Sequence, residues 1–246
     1  VSSAAGARSR ILASGRFEAT TLLRNGEQLL VSLVLPAMAL VLLTLAPYPE
    51  IGEPRIDVVA PGVLALAVVS TAFTGQAIAT AFDRRYGVLR LLGVSPLGRD
   101  GLLAGKALAV LTALALQTVV LGAAAVGLGW RPDLAGLVPL MITLAIGAVC
   151  FVSLALLLAG TLRAEAVLAV ANLLWVVFLG LGLLLPLDTL PPVAAAVAAW
   201  LPSGLLGESA RAAALDGAWP VARWAALLGW AAVTGGLARR TFRWSD

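Results

Sequence analysis

The 246 residues contain no histidine and one cysteine, Cys150. Without histidine the chain lacks the commonest metal ligand and the commonest general base at neutral pH. A single cysteine excludes an intramolecular disulfide. Charge is scarce as well: 12% of residues are charged, where soluble domains carry about 25%. A phosphate-binding loop is also missing. The nearest stretch, Gly101 to Ala107, has the wrong glycine spacing and ends in alanine where Ser or Thr is required.

What the chain has is apolar sequence, 61% of it, with a mean hydropathy of +0.99. The apolar residues are gathered into blocks of roughly 18 to 28, the signature of membrane spans. Six blocks fit, at about 29–46, 58–81, 101–128, 134–160, 165–186 and 219–238. Backbone groups cannot go unpaired in hydrocarbon, and ten-residue alternating strands are absent, so helices are expected. The net charge of +4 is explained by its distribution and gives no ground for expecting nucleic acid. With both termini cytoplasmic, 13 of the 17 Lys and Arg fall on the inner side, and only Arg55, Arg131, Arg211 and Arg223 lie outside. The positive-inside rule then requires an even number of spans. No carboxylate sits deep in a block, which argues against a proton-coupled carrier. Glu50, Glu53 and Asp57 are scattered in one outer connection with no base or metal partner, so no catalytic residues are expected.

Two segments outside the blocks carry structure. Over residues 1–28, Ile11, Leu12, Phe17, Leu22 and Leu23 recur at loose helical spacing against Arg16, Glu18 and Arg24, which predicts an interfacial helix on the inner leaflet. No compact apolar region follows the early arginines, so a cleavable signal is not expected. Between Pro186 and Pro220 the chain is too long for a turn, and 193–200 is too short to span. Short outer or re-entrant helices over about 190–216 are expected. Trp130, Trp200, Trp219 and Trp230 fall near span ends and read as an interfacial belt.

The most distinctive run, residues 83–106, reads DRRYGVLRLLGVSPLGRDGLLAGK. Asp83 is placed to favour the start of a short helix, with Val88, Leu89, Leu91 and Leu92 on an apolar face and Arg84, Arg85 and Arg90 on the others. Gly93 is a natural terminator, and Ser95-Pro96 read as the N-cap and first residue of the next helix. Lys106 is placed to snorkel to the inner headgroups.

This run resembles the connection between the second and third spans of ABC-2 type export permeases, in the drug-resistance and daunorubicin-like branch. Arg84, Arg85, Tyr86, Gly87, Leu89, Leu92, Gly93, Ser95, Pro96, Gly105 and Lys106 carry the likeness. The resemblance implies that residues 82–92 (Asp83, Arg84, Arg85, Tyr86, Gly87, Val88, Leu89, Arg90 and Leu92) are a coupling helix docking on a separate ATPase. It also implies two ABC ATPase subunits per transporter, a second permease copy or a homologous permease, and ATP and Mg held by the ATPase rather than by this chain. The resulting expectation is an all-α integral membrane protein. It has an interfacial helix at 1–28, then one six-span domain at 29–246 in a bacterial inner membrane.

Polar residues inside the blocks are few. Thr71, Thr74, Gln76, Gln117 and Asn172 are candidates for a substrate path or a dimer seam, and hydrogen bonding between neighbouring helices is the alternative. For cargo, an amphipathic drug-like or lipid-like molecule is expected. A lipid-linked polysaccharide exporter and a non-transporting scaffold that recruits a cytosolic protein are the other readings.

Overall fold

A computed structural model of the chain describes residues 6, 9–10, 12–13, 15–17, 20, 30–48, 51–52, 54–93 and 98–243. Among them every regular element is helical. A π-helical turn, Leu30–Val34, leads directly into α1, Leu35–Leu45, whose second residue is Pro36. α2 runs Arg55–Arg85 through a π-helical stretch, Val69–Gly75. A turn at Tyr86 and Gly87 precedes the short α3, Val88–Gly93. α4 is Gly98–Gly127 and α5 is Leu134–Thr161, the latter capped by the Asp133 carboxylate, which accepts from the Ala135 N–H at 3.1 Å. α6, Ala164–Phe178, continues through a π-helical segment to Leu183, where it is broken by non-helical Leu181 and by Gly182 at φ +80°. A 3₁₀ turn, Leu187–Thr189, leads to α7, Pro192–Ala198, and α8, Pro202–Asp216, and α9 follows at Val221–Thr241.

Five of these helices are long and apolar enough to cross a membrane: Arg55–Arg85, Gly105–Gly127, Leu134–Thr161, Ala164–Leu183 and Val221–Thr241. All five fall on expected blocks. The block at 29–46 appears as a shorter apolar helix, about 24 Å long over residues 30–45 at 1.5 Å per residue. Of the N-terminal segment, residues 9–10, 12–13, 15–17 and 20 are helical, and the rest of the expected interfacial helix lies outside the described residues. Gly15 sits against Leu108 of α4, so close that a Cβ would fall 2.5 Å from its side chain, while Leu12 and Phe17 face outward.

α2 is the centre of the bundle. Its residues from Val59 to Phe73 are buried without interruption. Phe73 of α2, Phe151 of α5 and Phe178 of α6 meet edge to face, with ring centroids 5.5 to 6.2 Å apart. Such pairs add about 0.5–1.5 kcal/mol beyond the area they bury. Indole hydrogen bonds tie further helices: Trp175 Nε1 donates to Ser70 Oγ at 2.9 Å, and Trp224 Nε1 donates to Thr143 Oγ1 at 2.8 Å. Trp130, expected in an interfacial belt, is buried in the core instead, while Trp200 and Trp219 are exposed.

The two ends of the bundle differ. One, here the basic end, gathers the C-termini of α2, α5 and α9 with the N-termini of α4 and α6, as when Arg243 N–H donates to Gly160 O at 3.1 Å. The other end holds α7 and α8, which meet at 89°. Gly217, at the end of α8, lies beside Ala135 at the start of α5, whereas Leu206 packs against Gly147. Thirteen residues of helix separate Gly147 from Leu134, about 20 Å. Trp230 Nε1, well inside α9, donates to Trp200 O between α7 and α8 at 3.0 Å. Within the bundle, Leu206 near the start of α8 therefore lies beside the middle of α5, and Gly217 after its end lies beside the start of α5.

Candidate functional site

α2 leaves the bundle through three charged residues in a row, Asp83, Arg84 and Arg85. Successive helical residues diverge by about 100°, so three in sequence face three different neighbours. The Asp83 carboxylate accepts from Lys106 Nζ of α4 at 2.7 Å. Arg84 is buried, and its Nη2 donates to the carbonyl of Leu162, the residue that ends α5. Arg85 pairs with Glu165 in the first turn of α6. One turn of α2 thus grips α4, α5 and α6 together.

This corrects two expectations. Asp83 does not start a short helix: it lies within α2, which continues to Arg85 because each charge meets a partner as it leaves the apolar block. Lys106 does not reach for headgroups but is buried against Asp83. The helix break falls instead at Tyr86 and Gly87. Gly87 N–H donates to Arg84 O at 3.0 Å with φ at +73°, a left-handed conformation that glycine adopts without strain. Leu91 N–H then donates to Gly87 O at 3.1 Å and begins the new helix.

α3 shows which of the expected contact residues are open. Tyr86 and Leu91 are each 71% exposed, and Arg85 and Val88 are also at the surface. Leu89 is 2% exposed and faces inward, as does Arg84, so neither presents its side chain outward. Among the described residues α3 runs as far as Gly93, and α4 is in place from Gly98. The side chains of Arg90 and Leu92, and Ser95 and Pro96 altogether, lie outside the described residues.

The polar residues of the spans separate into two groups. Thr71, Gln76 and Gln117 are buried inside the bundle. Thr71 Oγ1 donates to Gln117 Oε1 at 2.9 Å, and Gln117 Nε2 donates to Ser32 O at 3.3 Å, tying α2, α4 and the turn before α1. Thr74 is half-buried in the π-helical stretch of α2. Asn172 alone is on the outer surface.

The family model described as ABC-2 type transporter matches residues 10–215. The chain belongs to that family. No curated protein matches it. The matched region takes in α1 to α7 and nearly all of α8. As an ABC-2 family member with these apolar helices, the chain is a multi-pass membrane transport component and fits the permease part of an ABC transporter.

A second polar cluster of this ABC-2 domain, at the end opposite α3, went unnoticed in the sequence. Where α6 breaks, its last carbonyls lose their helical partners. Arg211 of α8 supplies replacements: its guanidinium donates to Gly182 O at 2.7 Å, Leu183 O at 3.1 Å and Leu185 O at 3.2 Å. It is held by Glu208 Oε1 at 2.6 Å, which also accepts from the Leu187 N–H at 3.2 Å. Ser203 Oγ takes the Leu181 carbonyl at 3.0 Å. Gly207 permits this approach, since a Cβ there would lie 2.1 Å from Gly182 O. In the sequence, the signal was the Glu208-x-x-Arg211 spacing on a helix that follows a Gly-rich end.

Proposed function

We propose that this chain is the transmembrane half of an ATP-driven ABC exporter of the drug-resistance-like branch. It moves amphipathic drug-like or lipid-like molecules out of the cytoplasm or inner leaflet of a bacterial cell membrane. The observation that carries the reading is the exposed α3, joined through Gly87 to a turn of α2 that grips three other helices. Two partner ATPases, each holding ATP and Mg, would push on the surface formed by Arg85, Tyr86, Val88 and Leu91. A push on α3 moves the end of α2, and through Lys106, Leu162 and Glu165 the displacement passes to α4, α5 and α6 as one body. A second permease subunit provides the other wall of the path.

On this reading α1 crosses the membrane and the α7–α8 pair does not, which gives six crossings with both termini cytoplasmic. The scarcity of charge inside the spans suits apolar cargo.

The test is reconstitution with candidate ABC ATPase subunits in proteoliposomes. Leu91→Glu changes an exposed side chain and is expected to leave thermal unfolding unchanged. It should weaken ATPase association roughly tenfold or more, as truncating a central interface residue does. Full association and transport by Leu91→Glu would remove the coupling role of α3. Leu89→Glu is a poorer probe, because a buried carboxylate there would disturb the fold itself.

A further inference from the structure

Between α7 and α9 lies a shallow groove of about 640 Å³, within the size range of small-ligand sites. Val193, Ala196, Val197, Trp200 and Leu201 line one side and Trp230 the other, so the lining side chains are apolar or aromatic. The Trp230 indole N–H already donates to Trp200 O at 3.0 Å, which ties α9 to the corner between α7 and α8. Val193, Val197 and Trp200 are nonetheless largely exposed.

A cation stands over this groove on α9. Arg223 and Trp230 are seven residues apart, which on a helix returns to the same face within about 20° and separates them by about 10 Å. Between them on that face is Ala226, whose small side chain leaves the way from Arg223 to Trp230 open. Arg223 is half-buried in the first turn of α9, four residues after the exposed Trp219. Among the described residues it makes no hydrogen bond or ion pair. Glu208 is held by Arg211, and neither Asp188 nor Asp216 pairs with Arg223.

We infer that this groove is a resident site for one anionic phospholipid, with its phosphate on Arg223 and an acyl chain running past Ala226 and Trp230. The hydrocarbon of one leaflet is about 15 Å deep, so a chain hanging from a phosphate at Arg223 passes Trp230 on its way down. Trp219 marks the headgroup level, where exposed tryptophans gather. A guanidinium takes a phosphate through two parallel N–H···O bonds, and an anionic headgroup keeps the charge that a zwitterionic one cancels. A cytosolic protein has no access, because the groove lies away from the end that carries α3. The site goes beyond the exporter reading and does not depend on it: the lipid binds the isolated chain and is not cargo.

The test uses the purified full chain in a neutral detergent with phosphatidylglycerol as the probe. Phosphatidylcholine is the zwitterionic comparison, and glycerol 3-phosphate is a headgroup without chains. Thermal unfolding and native mass spectrometry read the binding. Phosphatidylglycerol should be retained and raise the melting temperature, phosphatidylcholine should do so less, and glycerol 3-phosphate not at all. Arg223→Met should weaken phosphatidylglycerol binding roughly tenfold, as the loss of a charge-assisted pair does. Arg131→Met, at an exposed arginine between α4 and α5, should keep it. Ala196→Trp fills the groove from an exposed position, and should lower lipid retention while the lipid-free melting temperature holds.

Undiminished retention by Arg223→Met overturns the site. So does equal stabilisation by phosphatidylcholine, or by glycerol 3-phosphate alone. Release of the bound lipid in step with ATP hydrolysis in the assembled transporter makes the groove part of a cargo path and overturns it as a resident site. Unaltered ATPase association in Leu91→Glu, by contrast, removes the coupling role of α3 and leaves this site standing.

Discussion

At the scale of single residues, three arginines do the same work at three different helix ends. Arg55 Nε donates to Leu43 O at 3.1 Å, near the end of α1. Arg84 donates to Leu162 O at the end of α5, and Arg211 takes three carbonyls where α6 breaks. Helix C-termini present unpaired carbonyls and partial negative charge, and a guanidinium answers both. In a bundle of short connections these side chains replace water as the capping partner. Arg211 is the most demanding case, being buried itself and paired with a part-buried Glu208. Arg211→Met removes the donors and leaves the part-buried Glu208 carboxylate without its cation, so it should cost about 3 kcal/mol. Arg223→Met, at a half-buried position with no ion pair among the described residues, should stay within about 0.5 kcal/mol. Thermal unfolding in detergent compares the two, and equal melting temperatures would refute the capping role of Arg211.

At the scale of elements, hydropathy placed the helices well and misplaced what happens at their ends. The block expected at 58–81 became Arg55–Arg85, because hydropathy counts Asp83, Arg84 and Arg85 as solvent-seeking. Each is paired with a residue 23 to 80 positions away, and such pairing cannot be read from a local window. The break was legible as a glycine, but the sequence held two candidates. Gly93 stood out as a terminator before Ser95-Pro96, whereas the left-handed residue that redirects the chain is Gly87. The 89° corner between α7 and α8 was legible only as a segment too short to span, bounded by prolines. Gly87→Ala tests the break as an element. No atom lies within 4 Å of the added Cβ, so its cost is backbone strain alone, about 1–2 kcal/mol. Since Gly87 lies outside the packed core, the helical content and melting temperature of the bundle should change little. The orientation of α3, and with it transport per ATP hydrolysed in proteoliposomes, should fall. Gly122→Ala, in regular helix with equally open space, should leave transport intact. Equal transport by both variants would show that the break at Gly87 carries no force.

For the whole molecule, the number of crossings turns on the α7–α8 pair. Were the pair a bent span, Asp188 before it and Trp219 after it would lie on opposite sides of the membrane. The packing places them together: Leu187 N–H is bonded to Glu208 of α8, and Gly217 rests on Ala135 at the start of α5, at the same end of the bundle. Asp188 and Trp219 are both exposed, as is Tyr86 at the basic end. In the Cys150→Ala background, Asp188→Cys and Trp219→Cys should both react with a membrane-impermeant maleimide applied to intact cells. Tyr86→Cys should react only after the cells are opened. That pattern makes α7 and α8 a re-entrant pair, puts α3 where a cytoplasmic ATPase can reach it, and requires α1 to cross for the N-terminus to share the side of Tyr86. Labelling of Asp188→Cys and Trp219→Cys from opposite sides would make the pair a span, and the 13-to-4 division of Lys and Arg would then no longer fit a single orientation.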